Sequence, residues 1–568
     1  MELPPFTRGG PGTRPQLPVA QDVVSIAGSS INDDVETVVS INSDLDVADI
    51  VDAPWASLNV AGSTDESEAT VLAVLAASPK PPWVQAAVAV FGLAALGHWG
   101  MMGRQESILQ RRRQLQIVHD CRGIDAVSEA LRHLHVAGLL MEAPTIIAFS
   151  ERCPAARAWT RLFHPAVPVE YHDMCHRAQP TPASDLYCNG FPCTPFSTRR
   201  GDKSRAFDDP NARPFWATLS EISAAKHKAI LLENVCGLLT RTYKGERCID
   251  VLLREVRTAA AGRYHIHLTC GVGPDAFGEA CKRPRVFVRM MLKSACLVDS
   301  EEEFVRALRT ADEHMARVAM SLEGSAASAG DRLQRAGLLA VPGPRVATGI
   351  GFCPCCLPLL PGLKVPVCQA HARPRQGRQH SWIGRHQQAW AKLVRQVPHL
   401  MPATVLDDDD DDDDVFCDKP PRSYFLEAHR RGLPAGVCAS TPRLRNLVEL
   451  VAHDLWVAGI DPFTSDAAFD ASQSYGRHAL RTDGHLPTLA TSSRIWLMKH
   501  GVVLAPEALL NIMGFPLAAY RPRLSMWTDT ELRRLVGNTM YPAAVGPMLA
   551  SLLNLLRGGA GTVGEDDE

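Results

Sequence analysis

The chain has 568 residues, 46% of them hydrophobic and 21% charged, and its formal net charge is -3. That length is enough for two or three domains, and the near-neutral total says little until its distribution along the chain is examined. Sixteen cysteines without an N-terminal charged-then-apolar signal argue against a secreted disulfide framework, so reduced thiols and an intracellular protein are expected.

Residues 1–80 carry twelve acidic against three basic residues, are rich in Ser, Asp and Pro, and show no sustained periodicity. Such a segment buries too little apolar surface to offset its ordering entropy, and a disordered acidic region over 1–82 is expected. The stretch 84–102 is apolar and about long enough to span a bilayer, but it contains Gln85, His98 and several glycines. A helical linker over 83–115 is expected, buried or partner-binding, with no membrane contact. Residues 117–128 read as a strand running into a turn that holds Gly123. A second strand over 145–151 ends in Glu151 and leads into a helix from 153 to 163; an acid at that place holds ribose hydroxyls in nucleotide-binding folds. Asp173 follows a Tyr-His pair.

Gly190-Phe191-Pro192-Cys193 lies between an apolar, strand-like run and a loop rich in Ser, Thr and Arg, which presents the Cys193 thiol at a strand end where a substrate can reach it. Residues 229–235 read as a buried parallel strand carrying Glu233 near its end. Arg283 and Arg285, two apart on an expected strand, would point the same way and form a fork toward Glu233. Residues 332–406 contain no Asp or Glu and ten Lys or Arg, a one-signed window that reads as a phosphate-facing surface. Arg199, Arg200, Lys203 and Arg205 form a second basic cluster just after Cys193. Inside the basic window, Cys353, Cys356, Cys368 and His371 have the ligand number and softness of a closed structural zinc site, with Cys355 as an extra thiol. Eight aspartates at 407–414 cannot pack and mark a solvated linker. A Gly537-Asn538 turn precedes an apolar helix from about 543 to 556.

Taken in order, the Pro-Cys segment, the Glu233-Asn234-Val235 strand end, the Arg-Pro-Arg run, the Gly514-Phe515-Pro516 segment and the Gly-Asn turn resemble the motifs of the DNA cytosine-5 methyltransferases. The resemblance implies an α/β fold, a doubly wound and mostly parallel sheet of the S-adenosylmethionine-dependent methyltransferase kind, split by an inserted target-recognition domain. It implies Cys193 as nucleophile, Glu233 on the cytosine edge, and Arg283 and Arg285 beside them. It places S-adenosylmethionine against Cys121, Gly123, Ile124, Glu151, Asp173, Pro192 and Asn538. Three positions depart from the family pattern: Cys121 stands for an aromatic residue, Asp125 for a glycine and Cys281 for a glutamine. Asp125 is expected to set a carboxylate toward the donor's methionine moiety, and a residue with a side chain can occupy such a turn if its dihedrals are ordinary.

The organisation expected is a catalytic domain over 116–295 and 470–557, a recognition insert over 296–469 holding the basic lobe and the poly-Asp linker, and a disordered tail over 558–568. The partner implied is duplex DNA with a flipped cytosine, which would place the protein in the nucleus. Two other readings stay open at this point: an RNA cytosine-5 methyltransferase on the same fold, and a non-catalytic DNA-binding protein with a decayed cofactor pocket.

Overall fold

The computed structural model describes residues 80–92, 114–164, 167–177, 180–198, 205–322, 328–339, 380–396 and 423–558. The expected zinc ligands Cys353, Cys356, Cys368 and His371, the poly-Asp run, Arg199, Arg200 and Lys203, the N-terminal acidic region before residue 80 and the tail from 559 onward lie outside the described residues.

A seven-stranded sheet carries the fold. Its strands are β1 (Gln116–Asp120), β2 (Thr145–Ser150), β3 (Val169–Tyr171), β4 (Leu186–Asn189), β5 (Ala229–Val235), β8 (Tyr264–Val272) and β9 (Arg285–Leu292), in the order β3-β2-β1-β4-β5-β9-β8. A small hairpin of β6 (Thr242–Tyr243) and β7 (Glu246–Arg247) sits apart. β1 to β5 run parallel, and β9 is antiparallel to both β5 and β8. The strand order turns back between β1 and β4, which opens a crevice at their carboxyl ends, the place where such sheets take ligands.

Strand side chains alternate between two cores, as the two-residue period requires. Ile117, Leu186, Cys188, Ala229, Leu231, Phe287 and Met291 enter one. Val118, Tyr187, Ile230, Leu232, Val286, Val288 and Met290 enter the other. The first face is covered by the helices Ala126–Val136, Glu301–Ser321 and Pro542–Asn554, the second by Arg213–Ala224 and Cys248–Ala260. With helices on both faces, β5 is apolar along most of its length, as a strand buried on both sides must be.

Two expected boundaries move. Residues 83–91 are no linker over their described length: Trp83, Val84, Ala86 and Ala87 are fully buried in the first core. The indole of Trp83 lies so close to Gly546 that a Cβ there would fall 2.3 Å from the ring, so only glycine fits beneath it. The helix Glu301–Ser321, expected in the insert, also packs on this core. Its Asp312 pairs with Arg289 of β9, which further donates to Ser551 and Thr269.

A smaller lobe forms around an antiparallel sheet of β10 (Ala468–Asp470), β11 (Ile495–Leu497) and β12 (Val502–Val503), packed with the helices Tyr424–Arg430 and Pro442–Val457. The boundary expected between 469 and 470 therefore falls inside β10, whose sheet faces the lobe through Phe469 and Trp496 and the first core through Ala468, Ile495 and Leu497. The basic helix His380–Gln396 joins it through Trp390 and Leu393 against Leu450. Among the described residues no helix is long and apolar enough to cross a membrane.

Two buried histidines make the protein acid-sensitive. Burial, then Arg289 and Arg309, push His267 down to about 3; burial and then His386 push His478 down to about 4. In the unfolded chain both take a proton near pH 6.5. Below that pH the unfolded state gains protons that the folded state refuses, so the stabilisation present above about 6.5 is lost as pH falls toward the folded values. The melting temperature is expected to drop steadily between pH 7 and pH 4.5, and a flat profile would contradict the neutral, buried state of these rings.

Candidate active site

The thiol comes first. Cys193 is exposed on the loop that follows β4, while Phe191 and Phe196 on either side are buried edge-on to each other. The loop is pinned from β5: Asn234 Nδ2 donates to the Phe191 carbonyl at 2.9 Å, and Asn234 Oδ1 accepts from the Val235 amide at 2.8 Å. Arg241 Nε donates to the Ser197 carbonyl at 3.1 Å. Gly237 approaches Phe196 so closely that a Cβ would lie 2.0 Å from its carbonyl oxygen. These contacts anchor both flanks of the loop and leave the thiol facing outward.

Glu233 and Arg285 form the second part. β5 and β9 pair in the register Glu233 with Phe287 and Val235 with Arg285, which sets the two side chains diagonally across the ladder. Arg285 Nε meets Glu233 Oε1 at 2.7 Å, with only 9% and 11% of the two side chains exposed. Crowding by protein raises the Cys193 thiol above its ordinary value, Arg285 and Arg283 oppose that rise, and Glu233 adds to it. Because the thiol itself is exposed, water offsets part of the crowding.

Arg283 does not complete the expected fork. Its two terminal nitrogens donate to the carbonyls of Leu489 and Gly537, each at 3.2 Å, and its guanidinium lies over the Tyr541 ring. It ties the lobe's 486–490 segment to the C-terminal motif and still lines the small cavity shared by Glu233, Arg285, Met540 and Tyr541. Cys281, in place of the family's glutamine, donates its thiol to Tyr541 at 3.2 Å.

The third part is the turn after β1. Cys121, Gly123 and Asp125 all have positive φ, at 50°, 59° and 68°. Asp125 therefore does not meet the condition of ordinary dihedrals, but aspartate visits this left-handed region more readily than most side chains. Nor does its carboxylate face the crevice. It is buried among Arg122, His119 Nδ1 at 3.0 Å and His164 Nε2 at 3.2 Å, and it caps the helix Ala126–Val136 by accepting from the Ser128 amide at 3.1 Å. Burial would raise this carboxyl, but Arg122 and the two histidines hold it well below the usual range.

The turn's amides have partners of their own. Gly123 N–H donates to Glu151 at 2.7 Å and Ile124 N–H to Thr539 Oγ1 at 3.2 Å. Glu151 also accepts from the Cys153 amide at 2.7 Å. Asp173, just past β3, accepts from the Cys175 amide at 2.9 Å, and Cys121 donates to the Met174 thioether at 3.6 Å. Pro192 lies beside Cys193 on the β4 side of the same crevice. Asn538 ends the helix Asp529–Asn538 and is exposed, so the expected Gly-Asn turn is a helix end and Thr539, not Asn538, touches the glycine turn. Glu151 and Asp173 set two carboxylates near Cys121 at the switch point, while Asp120 is buried beneath them and paired with Arg177.

Sequence reading missed several supporting groups. Asn234 and Thr539 lay inside recognised segments but without a role. Arg122 three residues before Asp125 was a readable opposite-charge pair. Arg177, which meets Asp120 at 2.7 Å beneath the turn, had no signal.

Comparison with known proteins agrees with this class of site. Residues 145–321 match the family model of the C-5 cytosine-specific DNA methylases. It is similar to the Type II methyltransferase M.HgiCII of Herpetosiphon aurantiacus, 30% identical over 110 residues, which is 19% of this chain and 23% of that relative's length. Among solved structures, the S. pombe Dnmt2 methyltransferase is matched over 78% of this chain and 98% of that one at 13% identity and a TM-score of 0.37. A putative DNA modification methyltransferase encoded within an E. coli prophage is matched over 78% and 99% at 15% identity and a TM-score of 0.39.

Proposed function

We propose that the protein transfers a methyl group from S-adenosylmethionine to carbon 5 of cytosine in DNA. The observation that carries this reading is the exposed Cys193, on a loop pinned by Asn234, beside the Glu233–Arg285 ion pair.

Carbon 5 of cytosine is a weak nucleophile until a thiolate adds at carbon 6. Cys193 loses its proton and forms the S–C6 bond, and the ring's electron pair shifts toward carbon 5. Glu233 faces the N3 and amino edge, where it holds the proton that the ring needs as charge builds, and Arg285 fixes the carboxylate's orientation. The donor, when bound, supplies an electrophilic methyl group. Gly123, Ile124, Glu151 and Asp173 would hold it, with Cys121 and Pro192 on its flanks. After transfer, loss of the carbon 5 proton to a base and breakage of the S–C6 bond regenerate the ring and the thiolate.

The acid-free window and its basic helix suit a nucleic acid, since phosphate contacts draw on Lys and Arg, and the length of the basic insert favours DNA as the polymer. A DNA substrate also favours nuclear residence, and zinc at Cys353, Cys356, Cys368 and His371 would staple the recognition lobe. Side-by-side assays of methyl transfer to duplex DNA and to tRNA test the polymer: incorporation into DNA is expected, and incorporation into tRNA alone would replace this reading with RNA methylation.

A further inference from the structure

We infer that Arg122 and Asp125 act as a positioning pair that shapes the methyl-donor turn from within, doing with a buried ion pair what glycines do where a turn has none. The inference rests on the donor site proposed above.

A turn with three positive-φ residues between a strand and a helix costs backbone strain wherever it lacks glycine, and here only Gly123 is free of it. The other two need compensation. Asp125 has it four times over, from the Arg122 guanidinium, the His119 and His164 rings and the Ser128 amide. Arg122 is fully buried, its guanidinium over the Phe149 ring of β2, so it fastens the turn to the sheet. Asp125 in turn fastens it to the first turn of the helix Ala126–Val136.

The two residues between this pair are the ones that present amides at the crevice. Gly123 N–H reaches Glu151 and Ile124 N–H reaches Thr539. Gly123 has no room to drift, since a Cβ there would lie 2.9 Å from Thr539 Oγ1. Holding the residues on either side therefore fixes where both amides point. The pair touches neither the crevice nor Cys193, so its effect on the reaction runs through the donor's seat and not through the chemical step.

The arrangement also makes the two residues mutually dependent. Removing Asp125 alone leaves Arg122 as a buried cation with only the neighbouring rings, and removing Arg122 alone leaves a carboxylate short of its main partner. Changing Asp125 to glycine, the residue that the family pattern implies there, is thus expected to harm this chain and not to help it.

The test is a double-mutant cycle of Asp125→Asn, Arg122→Met and the combination Arg122→Met/Asp125→Asn, in which asparagine keeps both the left-handed preference and the cap. Two readouts are taken on the full chain. In the ligand-free protein, hydrogen exchange at the Gly123 and Ile124 amides is expected to quicken at least about tenfold in each single variant and to return toward wild type in the combination. With S-adenosylhomocysteine as probe, the dissociation constant is expected to rise about tenfold in the single variants, and KM for the donor to rise with kcat little changed. If Asp125→Asn proves too unstable to study, Arg122→Met against the combination decides, because independent side chains predict the combination to be at least as defective as Arg122→Met alone. Wild-type exchange at the two amides in a folded single variant would overturn the inference. Quickened exchange with no S-adenosylhomocysteine binding even in wild type would uphold the pair and overturn the donor reading instead.

Discussion

Cys193→Ala is expected to abolish the covalent complex that the wild-type protein forms with duplex DNA carrying 5-fluorocytosine in the presence of S-adenosylmethionine. Fluorine at carbon 5 cannot leave as a cation, so the S–C6 bond, once made, persists after methyl transfer. The thiol is exposed while its flanking residues are anchored by Asn234 and Arg241, and the substitution removes one sulphur atom without disturbing a packed core. Folding should thus be unaffected, and a denaturing gel reads the complex directly. A complex of undiminished yield in the variant would move the nucleophile to another residue.

Glu233→Gln is expected to slow methyl transfer by about 10²- to 10⁴-fold, the range for a lost acid or base group. The amide keeps the shape of the side chain but accepts only weakly from Arg285 and holds no exchangeable acid proton for the ring. Arg285 would then be a buried cation without its counter-charge, so some loss of stability should accompany the kinetic effect. Affinity for DNA should change little, because phosphate contacts draw on Lys and Arg and not on Glu233. Single-turnover rates at saturating DNA separate the two effects; a rate within threefold of wild type would remove Glu233 from the chemistry.

β5 was legible because it is long and buried on both faces, whereas the three-residue β3 was too short to show a period. β5 was read residue for residue as 229–235, since an unbroken apolar run ending in Glu-Asn-Val has few other uses. The fork was misread for a local reason. Alternation places Arg283 and Arg285 on one face only if both lie in the strand, but Pro284 separates them and β9 begins at Arg285, leaving Arg283 to turn toward carbonyls of two other segments. The lobe boundary was missed because β10, β11 and β12 are two or three residues long, too short to show a period. Trp83 was taken for linker because its partner, Gly546, is far along the chain and nothing local announces it. Asp125 was visible as a departure from glycine; that its carboxylate turns inward to Arg122 and two histidines depends on His164, a residue on another segment.

The central claim is methyl transfer to carbon 5 of cytosine, and it is tested most directly by incubating the full chain with isotopically labelled S-adenosylmethionine and duplex DNA, then digesting the DNA to nucleosides for mass spectrometry. Labelled 5-methyl-2′-deoxycytidine from the wild-type protein, absent with Cys193→Ala, is the predicted result. DNA that carries no labelled deoxycytidine, or label on the exocyclic nitrogen in place of carbon 5, would contradict it.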